Sequence, residues 1–347
     1  MNYVGIDLHK KTVVLCAMDQ DLRVLRRRTF ACSDPEAIGA FFAALGAFRA
    51  VVEATASYEW LVALIEPLAE RVVLAHPGKL RVIAESTKKT DRLDAQVLAE
   101  FLARGQIPEA FRPSNRQREH RALVRHRQYL KLQVTALKNK MRRIAADSNA
   151  DRKDLFTAAG WERLEAVGLR DADRFVLDQL RAAWQALEAQ IEGVGARLKA
   201  FAAAAPPPEA EARAKLGTIP GVGAVTVDVV VSELGDVRRF KSSKAVCAYA
   251  GLAPKVRQSA GKGEDLHISK AGPPLLRWAL VEAAWRVVRR LAPWRRIYER
   301  VRKRGGGKKA IVAVARRLLC VIYAMLRDGT NYDLLKVGEP PRPQPTT

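Results

Sequence analysis

The sequence predicts an α/β domain followed by a mostly helical remainder. Strand-like and helix-like segments alternate over the first 111 residues, apolar residues recur at heptad spacing through the middle, and a glycine turn joins two helix-like segments in the last third. At 347 residues the chain has room for two or three domains, each with its own core. We predict domains over 1–111, 112–208 and 209–337, and a disordered Pro-rich tail over 338–347.

The first domain is predicted as three consecutive strands followed by alternating helices and strands. The connections between the three strands are too short for crossover helices, so they favour antiparallel hairpins. The predicted strands cover 3–6, 12–17 and 23–30; a helix over 34–45, a strand ending at Glu53, a helix over 58–69, a strand over 72–75 and a helix over 91–104 follow. This order is typical of the ribonuclease-H-like α/β fold, and it places Asp7 and Glu53 on adjacent strands.

The middle segment predicts a stalk of two long helices with coiled-coil character. Heptad positions are occupied by Leu123, Leu130, Val134, Leu137, Met141 and Ile144 in the first helix, and by Leu177, Leu180, Trp184, Leu187, Ile191, Val194, Leu198 and Phe201 in the second. His120 and Arg127 interrupt the first seam. The apolar stripes favour either a hairpin within one chain or a seam between chains, so a homodimer or homotetramer is expected. The prolines at 206–208 are expected to end the second helix.

The third segment, mainly α, begins with a motif that resembles a helix-hairpin-helix. Leu216 to Gly223, followed by the apolar run 224–231, would let backbone N–H groups near Gly221 and Gly223 meet a phosphate. An ordinary tight turn between packed helices is the alternative. Further on, residues 286–317 carry thirteen basic residues and one acid, with Trp285, Trp294 and Tyr298 among them. Basic residues beside aromatic ones favour strand tracking and base stacking.

The charge of the chain predicts a polyanionic partner. Lys and Arg number 60 against 37 acids, a net charge of +23. Residues 1–111 hold 14 of each sign, so residues 112–347 hold 46 basic and 23 acidic residues and carry the whole excess. Residues 112–143 alone contain eleven basic residues and one acid, which favours nucleic-acid contact over a merely solvated face.

Cysteine spacing and hydropathy bear on the compartment. Cys16, Cys32, Cys247 and Cys320 form no C-x-x-C pair, so we expect buried free thiols rather than a zinc site or disulfides. No signal peptide opens the chain, and Arg316 and Arg317 interrupt its most apolar late stretch, 310–326. A soluble cytoplasmic protein without membrane contact is expected.

Four carboxylates predict a metal site. Asp7 follows the first strand, Glu53 ends the fourth, and Asp91 and Asp94 stand three apart, on one side of a helix. Clustered carboxylates repel one another unless a hard cation joins them, and oxygen-only ligands favour Mg²⁺ or Mn²⁺. Such ions polarise phosphodiesters and stabilise attacking and leaving oxygens. Taken singly, each of these acids is more often a surface group or a helix cap.

Segments at both ends of the chain resemble one protein family. They are YVGIDLHK at 3–10, VEAT at 52–55 and KTDRLDA at 89–95, then IPGVG at 219–223, AGLAP at 250–254, QSAGK at 258–262, ISKAG at 268–272 and LR at 276–277. These motifs resemble the DEDD transposases, the bacterial insertion-sequence recombinases whose N-terminal domain is similar to the RuvC resolvase. The resemblance spans about residues 1 to 330.

The resemblance implies a second catalytic group and a guide. The family has a serine nucleophile in its C-terminal domain, and Ser259 stands at the matching position, although Ala260 replaces the usual following glycine. A phosphoserine link to DNA would conserve bond energy for religation. The family is also guided by a structured RNA that pairs with donor and target DNA. A site composed across subunits is a further expectation, because the carboxylates and Ser259 lie at opposite ends of the chain.

The residues around Ser259 suit phosphate chemistry. A serine hydroxyl needs a base, a metal or a positive field to become a nucleophile. The neighbouring cations that would hold the scissile phosphate are Lys255, Arg257, Lys262, Lys270 and Arg277. Ser242, Ser243 and Ser269 are the alternative nucleophiles. Phosphoserine recombination needs no ATP, and the sequence contains no G-x-x-x-x-G-K-[ST] motif.

Two other functions remain open at this point. In a metal-dependent nuclease or junction resolvase, the carboxylates would activate water and Ser259 would be structural. A non-enzymatic nucleic-acid-binding protein with a degenerate metal site is the second alternative. A covalent protein–DNA adduct distinguishes the recombinase from the nuclease, and metal-dependent cleavage distinguishes both from the binding protein.

Overall fold

The computed structural model describes residues 1–54, 57–83, 91–259 and 262–333. Within these ranges it does not describe the side chains of 81–83, 91–93, 255–259 and 262–266. The chain divides into two compact units, one from Met1 to Arg112 and one from Pro113 onward. The predicted stalk and the predicted third segment therefore share the second unit.

The first unit is a five-stranded sheet with helices on both faces. Its elements are β1 Asn2–Leu8, β2 Thr12–Met18, β3 Val24–Ala31, α1 Pro35–Ala43, β4 Phe48–Glu53, α2 Glu59–Ile65, β5 Arg71–Ala75, α3 Pro77–Ile83 and α4 Asp91–Ala103. The strand order is β3-β2-β1-β4-β5, antiparallel between β1, β2 and β3 and parallel between β1, β4 and β5. This mixed sheet is compatible with the predicted α/β nuclease-like fold. The short helix α3 was not predicted.

Alternating side chains give the sheet two buried faces. Val4, Ile6 and Val52 point to one face, where they pack with Phe42 of α1 and Leu61 of α2. Val14, Cys16 and Val51 point to the other face of the sheet. There they pack with residues that include Ala95 and Leu98 of α4. Helix α4 therefore covers the second face of the sheet.

The second unit is mainly helical and contains one strand hairpin. Its elements are α5 Asn115–Asp147, α6 Ala158–Glu165, α7 Asp171–Ala203, α8 Pro207–Gly217, α9 Ala224–Leu234, a 3-10 turn Val237–Arg239, α10 Ser243–Tyr249, β6 Pro254–Ser259, β7 Lys262–Ile268, α11 Pro274–Arg290 and α12 Ala292–Asp328. The prolines at 206–208 were predicted to end the second long helix. Pro207 and Pro208 also begin α8, because they occupy its first turn, where a backbone N–H would have no partner within the helix.

Helices α5 and α7 pack against each other along much of their length. Leu130, Val134 and Ile191 are buried in this contact, with Trp184 and Leu187 partly buried beside them. The apolar stripes thus have a partner within one chain, which is the hairpin alternative of the sequence prediction. The imperfect seam position His120 is buried as well, at 2% exposure.

The C-terminal helices form the largest core of the chain. The apolar stretch that begins at Ala310 lies in α12 and packs into this core, and no described helix is long and apolar enough to cross a membrane. Trp294 is fully buried and its Nε1 donates to the Tyr332 hydroxyl at 2.7 Å, while the rings of Trp285 and Tyr298 lie 5.5 Å apart. The predicted base stacking by Trp294 is therefore wrong, because its ring is a core side chain.

All four cysteines are free thiols, and the predicted burial holds for two of them, because Cys32 and Cys320 are only half-buried. Cys16 and Cys247 are buried, and the Cys247 sulfur lies 3.6 Å from that of Cys320. The hydrogen bond from Cys247, together with the positive charge of Arg316, lowers the pKa of Cys320 to about 7 against the opposing effect of burial.

Candidate functional site

Asp7 and Glu53 lie side by side at the ends of neighbouring strands. β1 and β4 are parallel and in register from Asn2 opposite Phe48 to Ile6 opposite Val52. The next position on each strand is Asp7 and Glu53, at the carboxyl edge of the sheet. Two acids on adjacent strand ends are what the sequence predicted.

Both acids belong to the face that α4 covers. Gly5 and Val51 precede Asp7 and Glu53 by two residues and so share their faces. A Cβ placed on Gly5 would lie 1.9 Å from the backbone oxygen of Ala95, which shows that α4 packs directly on β1. Asp94 immediately precedes Ala95. The sequence therefore folds so that a helix bearing an acid lies on the face that carries two strand-end acids.

The partners of these carboxylates differ. The Asp7 side chain is 15% exposed, and its Oδ2 lies 3.0 Å from Nε2 of His9. Glu53 and Asp94 are half-buried, and neither has a hydrogen bond or ion pair within the described part of the chain. Because a half-buried charge is costly without compensation, an oxygen-only set of this kind fits a hard divalent cation. His9 had no predicted role, although its position two residues after Asp7 placed it on the same face.

The complete ligand set lies partly outside the description. Asp91 begins α4, but its side chain is not described. Among the side chains that are described, no three His, Cys, Asp or Glu residues lie close enough together to hold one metal ion. Asp7, Glu53 and Asp94 therefore share one face of the sheet without forming a three-ligand group, and the predicted tetrad stays a prediction.

Ser259 is the last residue of β6 and is paired in register with Lys262 of β7. Pro254–Ser259 and Lys262–Ile268 form an antiparallel hairpin, so the backbone of Ser259 ends a strand. Ala260 and Gly261 lie outside the described residues, as do the side chains of Ser259 and of the predicted phosphate ligands Lys255, Arg257 and Lys262.

The base of this hairpin is held by tight backbone packing. Gly272 has φ +125°, and a Cβ there would lie 1.9 Å from the Tyr249 carbonyl oxygen. The Arg277 guanidinium donates to the carbonyls of Ala250 and Gly272 at 3.2 and 2.9 Å. Lys270 is exposed and has a left-handed φ of +54°. Arg277 therefore supports the loops that carry the hairpin, and its predicted contact with phosphate stays a prediction.

The alternative serines are occupied or inaccessible. Ser242 caps α10 by accepting from the Ala245 amide at 3.2 Å. The side-chain oxygen of Ser269 is buried and has no hydrogen-bond partner in the described residues. Ser243 hydrogen-bonds to Cys320, which contributes to the low pKa of that thiol. Ser242 and Ser243 are half-buried and the Ser269 hydroxyl is buried, so none of these three serines is freely exposed.

The predicted glycine turn joins α8 to α9 and uses its two glycines differently. Gly221 has φ +93°, and a Cβ on it would lie 2.9 Å from the Arg286 Cβ of α11. Gly223 is the N-cap of α9, has extended backbone, and a Cβ on it would meet nothing within 4 Å. Gly221 is therefore required by packing, whereas Gly223 stands at an open helix N-terminus whose N–H groups no side chain caps.

Most cations of residues 112–143 are paired inside the protein. Acids from other parts of the chain neutralise six of the eleven: Arg112 pairs with Glu59 and Glu66, Arg116 with Glu209, Arg121 and Arg125 with Glu233, Lys131 with Glu188, and Arg142 with Asp151. The predicted preference for nucleic-acid contact counted only the one acid within 112–143, whereas these six cations pair with acids outside that range. Arg127, Lys140 and Arg143 have no ion pair with a described residue and remain available to nucleic acid.

The strongest of these pairs surround two buried acids of α9. Glu233 is fully buried and accepts from Nε and Nη2 of Arg125 at 2.9 Å each, and this raises the pKa of Arg125. Asp228 accepts from Arg213 at 2.7 Å. Burial raises the pKa of Asp228, but the hydrogen bonds from His120 and Arg213 outweigh burial and lower it. These cations therefore fix α5 and α8 against α9.

Two family profiles match the chain at separate places. A DEDD transposase profile of the IS110 type matches residues 4–147, which include Asp7, Glu53, Asp91 and Asp94. A profile described as the transposase IS116/IS110/IS902 family matches residues 213–299, which include Ser259 and the glycine turn. Both predicted halves of the site thus fall within the matched segments.

Curated relatives are similar over nearly the whole chain. A transposase for insertion sequence element IS1111A from Coxiella burnetii is 27% identical over 346 residues, covering 95% of this chain and 90% of the relative. A pilin gene-inverting protein from Moraxella lacunata is 25% identical over 348 residues, covering 95% and 97%. A transposase for insertion sequence element IS1328 from Yersinia enterocolitica is 26% identical over 295 residues, covering 83% and 84%.

Proposed function

The chain belongs to the DEDD transposases of insertion sequences, and from this we propose that it cuts and rejoins DNA strands through a phosphoserine intermediate on Ser259, assisted by divalent metal at Asp7, Glu53, Asp91 and Asp94. The observation that carries the proposal is the placement of Asp7 and Glu53 on adjacent parallel strand ends, on the face that α4 covers with Asp94. DNA transposition itself follows from the family.

The carboxylates would hold Mg²⁺ or Mn²⁺. A bound ion of this kind supplies charge that polarises a phosphodiester and stabilises the oxygens that attack and leave. The residues of this chain supply the ligands: two strand-end acids on a rigid sheet and an i,i+3 pair on one helix. His9 orients Asp7 through its 3.0 Å contact, which fixes the direction of one carboxylate oxygen.

The serine step balances as a transesterification. The Ser259 Oγ attacks the phosphorus, its proton leaves to a base or solvent, and one bridging P–O bond breaks. The released deoxyribose hydroxyl takes up a proton, and the phosphoserine ester keeps one phosphodiester-type bond for religation. Attack by a second deoxyribose hydroxyl reverses the step, so neither ATP nor another energy source is required.

Cations near the hairpin are the proposed phosphate ligands. Gly221 and Gly223, at the turn between α8 and α9, are separate proposed phosphate contacts. Lys255, Arg257, Lys262 and Lys270 belong to or adjoin β6 and β7. A positive field at this place would both hold the scissile phosphate and favour the serine alkoxide. Arg277 supports this arrangement through the loops that it ties together.

The remaining partners are part of the same proposal. Donor and target DNA are the substrates, and a structured guide RNA would select them by base pairing. A homodimer or homotetramer would bring carboxylates and serines of different copies together, which restrains cutting until two DNA partners are paired. The large positive excess of residues 112–347 supports nucleic-acid partners but does not distinguish DNA from RNA.

Trapping the covalent intermediate tests the proposal. Strand-exchange reactions with the full chain, a DNA substrate and the RNA transcribed beside the gene are quenched in denaturant, and the DNA-linked peptide is mapped by mass spectrometry. We expect an adduct on Ser259 that Ser259→Ala removes and Ser269→Ala retains. An adduct on a different serine would move the nucleophile, and strand cleavage without any adduct would establish the hydrolytic nuclease instead.

A further inference from the structure

An apolar groove lies among five helices of the second unit. It has a volume of about 400 Å³, within the range of small-ligand sites. Its walls come from α5, α7, α8, α9 and α11, and include Val124, Leu198, Val225, Leu275 and Trp278. The groove lies at the first turn of α9, beyond Gly223, and it contains neither Ser259 nor the carboxylates.

Trp278 is the exposed aromatic ring of this groove. All six tryptophans are described, and Trp278 alone ranks among the exposed large apolar side chains, at 43% exposure. Val225, opposite it in the lining, is 40% exposed. An exposed indole offers a flat apolar face and a polar N–H edge, which suit stacking of an aromatic ligand. Trp278 is not among the aromatic residues, Trp285, Trp294 and Tyr298, for which the sequence predicted base stacking.

Polar groups at the groove complement this ring. Arg127, Gln128 and Lys199 line it, and none has a hydrogen bond or ion pair with a described residue. By contrast Arg213 and Asp228, also in the lining, pair with each other at 2.7 Å. A flat ring, a free amide and two free cations are the groups that contact, respectively, the face, the edge and the phosphate of a nucleotide.

Gly195 leaves open space at the wall of the groove. It lies inside the 33-residue helix α7, where glycine costs roughly 0.5–1 kcal/mol relative to alanine. A Cβ at Gly195 would meet no atom of the chain within 4 Å, so packing within the chain does not require glycine there. The residue lines the groove. Gly193, two positions earlier, is exposed and has no part in the groove.

We propose that this groove binds one unpaired nucleotide of a DNA strand, with its base stacked on Trp278, its edge near Gln128 and its phosphate near Arg127 and Lys199. The inference goes beyond the proposed chemistry, because it assigns a base-binding position apart from the carboxylates and Ser259. It rests on the DNA substrate of the family and does not depend on the phosphoserine step.

Charge selects this occupant over an apolar peptide or a second copy of the chain. Residues 112–347 hold 46 basic and 23 acidic residues, so another copy would bring more positive charge to Arg127 and Lys199. An apolar side chain would cover Trp278 but leave both cations and the Gln128 amide unsatisfied. A nucleotide satisfies all of them, and strand exchange necessarily exposes unpaired bases.

Binding of single-stranded DNA to the full-length protein tests the proposal. Fluorescence anisotropy with labelled strands of about 12 nucleotides, each carrying one abasic position, locates any base that the protein holds. We expect one position at which base removal weakens wild-type binding roughly 5- to 150-fold, the range of one base–aromatic stack. Trp278→Ala should weaken binding of the intact strand by the same factor, and removing the base at that position should not weaken its binding further. Trp278→Phe should keep most of the contribution of that base to binding.

Matched variants distinguish a filled groove from a damaged helix. Gly195→Leu should fill the groove and reproduce the loss of DNA affinity seen with Trp278→Ala. Gly193→Leu, on the same helix, should bind DNA like wild type. The two glycine variants should have equal thermal midpoints. Unchanged affinity of both Trp278→Ala and Gly195→Leu would overturn the proposal. Tighter binding of an RNA strand than of a DNA strand at the same position would also overturn it. A Trp278 variant that loses oligomer mass but keeps its DNA affinity would do so as well.

Discussion

Nε2 of the buried His120 lies 3.1 Å from Oδ1 of Asp228, a contact that joins α5 to α9. Arg213 of α8 donates to the same oxygen at 2.7 Å and to Glu209 at 2.9 Å. Three helices therefore meet at two acids whose charges are compensated by side chains. The position that interrupts the heptad pattern of α5 is thus the one that fixes it to the rest of the unit.

The first prediction is that this cluster makes the second unit sensitive to acid. Burial raises the pKa values of Asp228 and Glu209, but their hydrogen bonds to His120, Arg213 and Arg116 outweigh burial and lower both. A lowered folded-state pKa adds stability that is present above the unfolded value, about 4. That stability is lost as pH falls through the folded-state pKa, so thermal midpoints should drop below about pH 4.

Replacing Arg213 with Met tests this account. Removing one partner of a buried pair costs about 3–5 kcal/mol, and the midpoint should then depend less on pH in the acid range. Arg238→Met removes an exposed pair with Asp236 and should leave stability unchanged. Equal acid dependence in wild type and Arg213→Met would show that the lowered pKa values do not stabilise the fold.

The second prediction separates structural from nucleic-acid-binding cations on α5. Arg125 pairs with the fully buried Glu233, so Arg125→Met should lower the free energy of unfolding by about 1–3 kcal/mol. Arg143 is exposed and pairs with no described residue, so Arg143→Met should leave thermal unfolding unchanged while lowering DNA affinity and its salt slope. Denaturant titration and anisotropy over a salt series measure the two effects. If Arg125→Met instead lowered DNA affinity and Arg143→Met lowered stability, all of residues 112–143 would again be interpreted as a nucleic-acid-binding face.

The first unit follows closely from the sequence, and the reasons are local. Asp7 and Glu53 end apolar runs that can only be buried strands, and short connections leave one pairing order for the first three strands. The sequence spacing alone therefore predicted that Asp7 and Glu53 lie at the ends of adjacent strands. Contact between Gly5 and Ala95 was not predictable, because it depends on a backbone approach that only the packed helix reveals.

The second unit was less predictable because its key contacts join distant residues. The β6–β7 hairpin was not predicted, because its strands are polar and lack apolar alternation. Cations of α5 find acids about 100 positions away, which a local charge count misses. Trp294 and Trp278 occupy similar sequence surroundings, and only helix orientation decides that the first is buried and the second exposed.

The third prediction concerns the glycine turn between α8 and α9. Gly221→Ala should destabilise the protein by about 1–3 kcal/mol, because its φ of +93° and the 2.9 Å approach to Arg286 both disfavour a Cβ. Gly223→Ser should fold at least as well as wild type, since serine is a preferred N-cap in extended backbone. If Gly223 also approaches a phosphate, Gly223→Ser lowers DNA affinity without loss of stability. Equal stability of Gly221→Ala and wild type would contradict the packing role.

The last prediction concerns the carboxylates at the edge of the sheet. Glu53 and Asp94 are half-buried without a described partner, and Asp7 lies next to Glu53 in register, so their mutual repulsion should be relieved by a divalent ion. Wild-type protein should therefore gain thermal stability with Mn²⁺ or Mg²⁺, as expected for a ligand that binds only the folded state. Asp7→Asn, Glu53→Gln and Asp94→Asn should each lose that gain and abolish recombination while retaining DNA binding. Without metal these variants should be as stable as wild type or more so, because a repulsive charge is gone, and Asp21→Asn in the exposed turn between β2 and β3 serves as the control. A variant with wild-type metal stabilisation and recombination would remove its residue from the site.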